Sequence, residues 1–179
     1  KKLLLDAAKA KEHLDTSLSH FLETKGIDPT QPLPISIVGG NKPPFYTNYT
    51  PAPLKTKTSC ERKVSDDYGG DFLKLCDVAR CTIVVTEETN LANILLPLIN
   101  NQVPGLKVVR LKNRFKQFLF TGIRDCLMNV QITCKDGTTH IGEVQLHFAP
   151  ILALKSLCHK PYEYFREFFK GNTASYEAR

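Results

Sequence analysis

The stretch DCLMNVQITCKDGTTHIGEVQLHF, residues 125–148, predicts two β-strands joined by a tight turn at Lys135-Asp136-Gly137. Apolar and polar residues alternate on both sides of this turn, which is the pattern of strands buried on one face. The strands are predicted over residues 125–133 and 139–148. Because their pairing register decides which side chains share a face, the length of the turn matters.

Two loop lengths fit the turn. A two-residue Asp-Gly turn would pair Val130 with Glu143, whereas a three-residue loop with Gly137 in the left-handed conformation would pair Asn129 with Glu143. We prefer the three-residue loop.

On the preferred register, the polar residues of the two strands lie on one face and the apolar residues on the other. The polar face consists of Asp125, Asn129, Gln131, Glu143, Gln145 and His147. The apolar face consists of Met128, Val130, Ile132, Val144, Leu146 and Phe148. A solvated side of an antiparallel sheet would by itself explain the polar face.

The remaining elements predict an α+β fold: a mixed, mostly antiparallel β-sheet flanked by helices. Helical spacing of apolar residues predicts a first helix from Leu3 to Glu23, and seven prolines between residues 29 and 53 predict a connector without regular structure. The other predicted elements are strands over Cys81 to Thr86 and Leu106 to Leu111, a helix over Leu91 to Ile99, and a helix over Ile151 to Lys170 that Pro161 kinks or divides. We expect one compact domain, in which residues 1–53 form the N-terminal helix and connector and residues 54–179 the main body. It could belong to a larger protein.

Composition narrows the class of protein. The chain has 179 residues, 42% of them hydrophobic, and a formal charge of +6, which favours polyanionic ligands but equally serves solubility. No apolar run approaches the roughly 20 residues that span a bilayer, so no membrane partner is expected. Six cysteines without a Cys-x-x-Cys pair predict a reduced, intracellular and cytoplasmic location.

A second acidic element lies far from the hairpin in sequence. Asp77 precedes the strongest strand pattern in the chain and, together with Glu143, could supply oxygen ligands to Mg²⁺. Phosphoryl transfer also requires cations for the developing phosphate charge. The basic residues that flank these elements are Lys55, Lys57, Arg62, Lys63, Arg80, Lys112, Arg114, Lys116 and Arg124.

Four segments, in this order, resemble the synthetase domain of the RelA/SpoT family of nucleotidyltransferases, which make (p)ppGpp-type alarmones. They are Lys57-Thr58 with Arg62-Lys63, Asp77-Val78-Ala79-Arg80, Gly122-Ile123-Arg124-Asp125, and Glu143-Val144-Gln145-Leu146-His147. The resemblance covers about residues 54 to 166 and is similar to that of divergent RelA/SpoT-like domains of larger proteins.

The resemblance implies roles for individual residues. Asp77 and Glu143 would bind Mg²⁺, and Glu143, with Gln145 beside it, would assist deprotonation of the acceptor hydroxyl. The candidate contacts to the ATP phosphates are Lys57, Arg62, Arg80, Lys112 and Arg124, and those to the acceptor are Ile123, Asn129 and His147.

Three departures from the family pattern concern the acceptor. Ile123 stands where the family has the tyrosine that stacks on guanine, the histidine of that strand is absent, and His147 replaces an arginine. An isoleucine lacks the aromatic face that favours stacking. The acceptor is therefore open between guanosine, another nucleotide and an RNA end.

The predicted C-terminal helix adds a polar stripe. Lys155, His159, Tyr162 and Arg166 are spaced by four, three and four residues, so they would share one helix face. A solvated surface explains this stripe equally well, and His159 is its candidate phosphate contact.

The leading hypothesis is a Mg²⁺-dependent enzyme that transfers pyrophosphate from ATP to a ribose hydroxyl of a nucleotide or RNA. The alternative is a catalytically degenerate domain that acts as a nucleotide sensor or protein-interaction module, to which Ile123 and His147 point. Nucleic-acid binding through the basic charge is a third hypothesis, but no RNA-binding motif accompanies the charge and no DNA partner is expected.

Overall fold

The computed structural model describes residues 2–33, 35, 46–116 and 122–154, together with residues 157, 161, 163, 164 and 168. The α-helices of this part of the chain are α1 (Lys2–Thr24), α2 (Lys57–Tyr68), α3 (Glu88–Ile99) and α4 (Ala149–Leu152). Its β-strands are β1 (Pro32–Leu33), β2 (Tyr46–Thr47), β3 (Tyr49–Pro51), β4 (Arg80–Val85), β5 (Leu106–Asn113), β6 (Cys126–Thr133) and β7 (Thr139–Phe148). A short 3-10 helix covers Phe72–Lys74.

Five strands form one sheet in the order β3-β4-β7-β6-β5, and β1 pairs separately with β2. Strands β4 and β7 are parallel, whereas β3–β4, β7–β6 and β6–β5 are antiparallel pairs. The predicted α+β fold with a mixed, mostly antiparallel sheet flanked by helices is therefore confirmed.

The turn between β6 and β7 has the predicted three-residue loop. Gly137 has a φ of 80°, and its N–H donates to Cys134 O at 2.9 Å. Cys134 N–H in turn donates to Thr138 O at 2.8 Å. Asn129 consequently lies opposite Glu143. The preferred register is confirmed, and the residues of the two predicted faces separate accordingly. Leu127, opposite Gln145, nevertheless lies on the polar face, and His140, opposite Ile132, on the apolar face.

We call the side of the sheet that carries Glu143 and Gln145 the front face, and the opposite side the back face. Helices α1 and α3 pack on the back face. The hydrophobic core between them and the sheet includes Leu14, Leu18, Ile94, Leu98, Met128, Val144 and Leu146. Burying each leucine contributes about 1.5–3 kcal/mol. The predicted first helix is confirmed, and it shares one core with the sheet; the division at residue 53 stays a prediction.

Strand β7 approaches the start of β4 closely at a glycine. A Cβ atom added to Gly142 would lie 2.8 Å from Ile132 Cδ1 and 3.0 Å from Ala79 O. The absence of a side chain lets Ala79 O accept the Glu143 N–H at 2.9 Å. Glu143 is thereby fixed beside the segment that carries Asp77.

The proline-rich connector is more regular than predicted. Within it, β3 pairs with β4 and extends the main sheet, which corrects the expectation that regular structure fails between residues 29 and 53. Pro51 is compatible with this strand because it lies at the end of an edge strand, where no ladder donor is needed.

Helix α2 was not predicted at all. The Thr56 hydroxyl caps its N-terminus by accepting the Ser59 N–H at 3.3 Å. Gly69, with a φ of 59°, ends it in the left-handed conformation. Only Cys60 and Val64 of this helix are buried. They pack against Ala7 and Val78, so the opposite side of α2 is left for polar residues.

The predicted helix over Ile151 to Lys170 lies largely outside the described residues, as do Lys155, His159, Tyr162 and Arg166.

Across the residues that the structure covers, no helix is both long and apolar enough to cross a membrane. The cysteines at 60, 76, 81, 126 and 134 are free thiols. The cytoplasmic location stays a prediction.

Candidate active site

A cavity of about 580 Å³ lies on the front face of the sheet. Its walls come from α2, the segment before β4, the first residue of β4, strands β5 to β7, the segment before β6, and α4. Its cationic lining residues are Lys55, Arg62, Lys63, Lys74, Arg80, Arg110, Lys112, Arg114 and Arg124. Its carboxylates are Asp67, Asp77, Asp125 and Glu143. Cations outnumber carboxylates, so the cavity favours an anionic ligand.

Most of the residues predicted for the site line this one cavity. They are Asp77, Glu143, Gln145, Arg62, Arg80, Lys112, Arg124, Ile123, Asn129 and His147. They come from five separate segments of the chain, which the fold brings together. His159 lies outside the described residues.

Lys57 is the exception, because the structure does not place it at the cavity. Its side chain is 77% exposed, and its Nζ lies 3.6 Å from Glu61 Oε1 in a surface ion pair. Lys57 and Arg62 are five residues apart on α2, which separates them by about 140° around the helix axis. The side of α2 that carries Arg62 and Lys63 faces the cavity, so Lys57 points elsewhere.

Asp77 is a buried carboxylate held by two lysines. Asp77 is 7% exposed, and its Oδ2 accepts hydrogen bonds from Lys55 Nζ and Lys63 Nζ, both at 2.7 Å. Burial favours a higher pKa for Asp77, but the hydrogen bonds and charges of the two lysines outweigh it and hold the pKa below its usual 3.8. Asp77 is therefore ionised at neutral pH.

The second oxygen of Asp77 differs from the first. Asp77 Oδ1 is buried and has no hydrogen-bond partner among the described residues. A buried carboxylate oxygen without a donor is costly unless a ligand satisfies it. Oδ1 therefore lacks the kind of partner that a bound cation would supply, whereas Oδ2 is already engaged.

Glu143 belongs to a chain of polar contacts along β7. Gln145 Nε2 donates to Glu143 Oε1 at 2.7 Å, and Gln145 Oε1 lies 3.3 Å from His147 Nε2. His147 Nε2 lies 3.7 Å from Asp125 Oδ2. Glu143, Gln145 and His147 are each two residues apart, the spacing that places side chains on one face of a strand.

Arg114, the residue directly after β5, completes the chain of contacts. Its Nε donates to Asp125 Oδ1 at 2.5 Å and its Nη2 to Asp125 Oδ2 at 2.7 Å. Asp125 is only 1% exposed. A bidentate arginine is the arrangement that best compensates a buried carboxylate.

Further cations stand close to Glu143. Arg80 lies beside Glu143 in the parallel β4–β7 register, and its buried Nε has no hydrogen-bond partner within the described part of the chain. Burial lowers the pKa of Lys112, and the nearby charges of Arg110 and Arg114 lower it further. A bound anion would relieve both conditions.

The aliphatic part of the lining concerns the acceptor. It consists of Ile123, Leu127, Ile151 and Leu152. Ile123 is half-buried and follows Gly122, whose φ of 71° turns the chain into the cavity wall. Where the resemblance implies an aromatic base cover, this chain offers aliphatic side chains.

Several lining residues had no role in the sequence-based prediction. Arg110 stands two residues before Lys112, so strand alternation alone could have placed both on the front face. Asp67 and Tyr68 lie in the last turn of α2, a helix that the sequence did not predict. Ser59, Lys74 and Cys76 reach the cavity through tertiary packing and carry no distinctive signal.

Comparison with protein-family models gives no match, and comparison with the curated proteins gives none either. Solved structures do match. The small alarmone synthetase 2 from Bacillus subtilis aligns with a TM-score of 0.66 and 18% identity, over 92% of this chain and 80% of that one. The small alarmone synthetase 1 from Bacillus subtilis, bound to its product pppGpp, aligns with a TM-score of 0.67 and 14% identity, over 90% and 80%. A GTP pyrophosphokinase family protein from Streptococcus pneumoniae aligns with a TM-score of 0.65 and 14% identity, over 93% and 77%.

These likenesses show the fold. The chain has the RelA/SpoT-type alarmone synthetase fold, which confirms the resemblance that the sequence motifs indicated. At such low identity it is a divergent example of that fold.

Proposed function

We propose that the protein transfers pyrophosphate from ATP to a ribose hydroxyl of a nucleotide acceptor, in a reaction that depends on Mg²⁺. The observation that carries this proposal is the front-face cavity, where Asp77 and Glu143 line one space among clustered arginines and lysines. Carboxylates for a metal and cations for phosphate oxygens are what phosphoryl transfer requires of a protein.

In the proposed reaction the acceptor hydroxyl oxygen attacks the β-phosphorus of ATP. The bond from that phosphorus to the oxygen bridging the α- and β-phosphates breaks, and AMP leaves with the bridging oxygen. Glu143 accepts the proton of the hydroxyl. Arg62, Arg80 and Lys112 neutralise charge on the phosphate oxygens.

The residues present fit a magnesium ion that is completed by substrate. No three His, Cys, Asp or Glu side chains among the described residues form a metal site by themselves. Mg²⁺, however, is usually bound by one or two carboxylates together with substrate phosphates and water. The unpartnered Asp77 Oδ1 and a Glu143 oxygen would provide these carboxylate ligands. When bound, the ion would neutralise phosphate charge.

A nucleotide is the acceptor class that we favour. One structure of similar fold is bound to its product pppGpp, a nucleotide, and another is bound to AMPCPP, an analogue of the donor ATP. Nothing comparable supports an RNA acceptor. Ile123 and Leu127 would cover a base by apolar contact alone, so we expect weaker discrimination among bases than stacking on an aromatic ring gives.

A binding-only nucleotide sensor is the second candidate. The observation in its favour is that two lysines at Oδ2 already compensate the charge of Asp77, which weakens the attraction of this carboxylate for a metal ion. Calorimetric titration combined with an assay for AMP separates the two candidates. A sensor binds ATP or the acceptor but releases no AMP.

The test of the proposed function is release of AMP from labelled ATP. The protein is incubated with ATP, Mg²⁺ and a series of purine and pyrimidine nucleotides, and the products are separated. We expect AMP and a pyrophosphorylated acceptor from the wild type, and loss of both in Asp77→Asn and Glu143→Gln. Glu12→Gln, which alters an exposed carboxylate on α1, is the matched control. No AMP with any acceptor, or full activity in Glu143→Gln, would refute the proposal.

A further inference from the structure

We propose that His147, Asp125 and Gln145 hold the Glu143 carboxylate in a fixed orientation, so that His147 is a positioning residue for the reaction. We call the contact chain Arg114–Asp125–His147–Gln145–Glu143 the Glu143 relay. The inference rests on the proposed function for the role of Glu143, but the structure of the relay can be tested without it.

Hydrogen-bond logic fixes the direction of the relay. An ionised carboxylate only accepts hydrogen bonds, so the Gln145 group 2.7 Å from Glu143 Oε1 is the amide nitrogen. The amide oxygen of Gln145 consequently faces His147 Nε2 at 3.3 Å. Because that oxygen also only accepts, His147 must carry a proton on Nε2.

Asp125 explains why the proton stays on Nε2. Its Oδ2, which is also only an acceptor, lies 3.7 Å from the same nitrogen. This distance is too long for a good hydrogen bond but short enough for attraction in a buried site. Arg114 bonds both oxygens of Asp125 and keeps this carboxylate in place.

Burial makes the relay rigid. His147 is 4% exposed and Asp125 1% exposed, so water does not compete freely for their hydrogen bonds. A chain of polar groups in such surroundings polarises and orders its members. The Gln145 amide donates to Oε1 of Glu143 and thereby fixes the orientation of the whole carboxylate.

The relay assigns His147 a role different from that of a general base. A nitrogen that already carries a proton cannot accept another, so Nε2 of His147 does not deprotonate the acceptor. Its effect on the reaction passes through Gln145 to Glu143. Loss of the Nε2–H donor should therefore lower kcat by misplacing Glu143, without weakening substrate binding.

Two substitutions of His147 distinguish the effect of its Nε2–H donor from the effect of its side-chain volume. Glutamine places an amide N–H about where the imidazole Nε2–H lies, whereas leucine fills the space without a donor. We expect His147→Leu to lower kcat about 10- to 100-fold with KM changed less than about threefold, as for a small misplacement of a reacting group. His147→Gln should retain kcat within about threefold of wild type.

The matched controls are His20→Leu and His20→Gln, because His20 is 78% exposed on α1. Circular dichroism verifies that each variant is folded. Wild-type kcat in His147→Leu would overturn the inference, as would equal loss in His147→Gln and His147→Leu.

A second measurement needs no activity. Nitrogen-15 NMR of the wild type, with the His147 signals assigned by their loss in His147→Gln, shows which ring nitrogen is protonated at neutral pH. We expect a proton on Nε2, and a bare Nε2 would overturn the relay. If the wild type releases no AMP, the proposed function fails while the NMR result still decides the relay.

Discussion

The two faces of the central sheet use the same strands for different purposes. Along β7, Val144 and Leu146 point to the back face and are fully buried among aliphatic side chains, whereas Glu143 and Gln145 point to the front-face cavity. Because successive side chains of a strand point to opposite faces, odd-numbered residues of β7 lie on the front face and even-numbered residues on the back face. Stability and chemistry are thus separated by one position along the strand.

The front face is more than the solvated side of an antiparallel sheet. Solvated faces carry exposed charges, but Asp77 and Asp125 are buried and paired with cations. Burying charges costs free energy. The back face also holds a buried charge, Lys11, but it pairs with Asp15 one turn away on the same helix, whereas the front-face pairs join separate segments. The contrast teaches that the front face retains costly groups for a purpose other than folding.

Of the substitutions that test the two faces, Leu14→Ala on the back face should have the largest effect, which is on the free energy of unfolding. Leu14 is fully buried, so removing its side chain should lower the free energy of unfolding by about 3 kcal/mol through lost burial and a cavity. Leu5→Ala, at a 66% exposed position of the same helix, should change it by less than about 0.5 kcal/mol. Urea unfolding measures both. Equal losses in the two variants would show that α1 does not cover the core.

A smaller effect is expected from Arg62→Ala on the front face. Arg62 lines the cavity, so its loss should raise the KM for ATP about tenfold, which corresponds to about 1.4 kcal/mol. Lys57→Ala alters an exposed cation of the same helix and should leave the KM unchanged. Steady-state kinetics of AMP release compares them. A larger change in Lys57→Ala would mean that the cavity is not where ATP binds.

The smallest effect concerns pH and His140. Burial lowers the pKa of His140 below its usual 6.5, and Asp6 opposes this only in part. The unfolded chain therefore binds a proton below about pH 6.5 that the native state does not, and stability falls as the pH decreases through that range. Between pH 7.5 and 5.5, wild type should lose more unfolding free energy than His140→Gln. Urea titrations at both pH values check this, with His20→Gln expected to behave as wild type; identical losses in all three would contradict it.

The sheet could be predicted because its signals are local. Alternation over residues 125–148 and Gly137 in the turn were sufficient for the register, and the register was sufficient for the polar face. Glu143, Gln145 and His147 followed directly from it.

Helix α2 and strand β3 escaped prediction for opposite reasons. Only Cys60 and Val64 of α2 are buried, so the helix has too few apolar residues to show a helical pattern in the sequence, although Thr56 and Gly69 mark its ends. In β3 the prolines argued against a strand, but an edge position tolerates them.

The misplacement of Lys57 follows from the missing helix. Without the helical phase of α2, Lys57 and Arg62 are simply two nearby cations. The pairing of Asp77 with Lys55 and Lys63 is likewise invisible in sequence, because it depends on how α2 packs against the segment before β4.

A crystal structure with a non-hydrolysable ATP analogue, and with Mn²⁺ in place of Mg²⁺ so that anomalous scattering locates the metal, would show whether the front-face cavity binds both. We predict the triphosphate in the front-face cavity beside Arg62 and Arg80, with the metal bound by Asp77 Oδ1 and Glu143. An analogue bound elsewhere, or a cavity in which Asp77 contacts only Lys55 and Lys63 and no metal, would show that this cavity is not a pyrophosphate-transfer site.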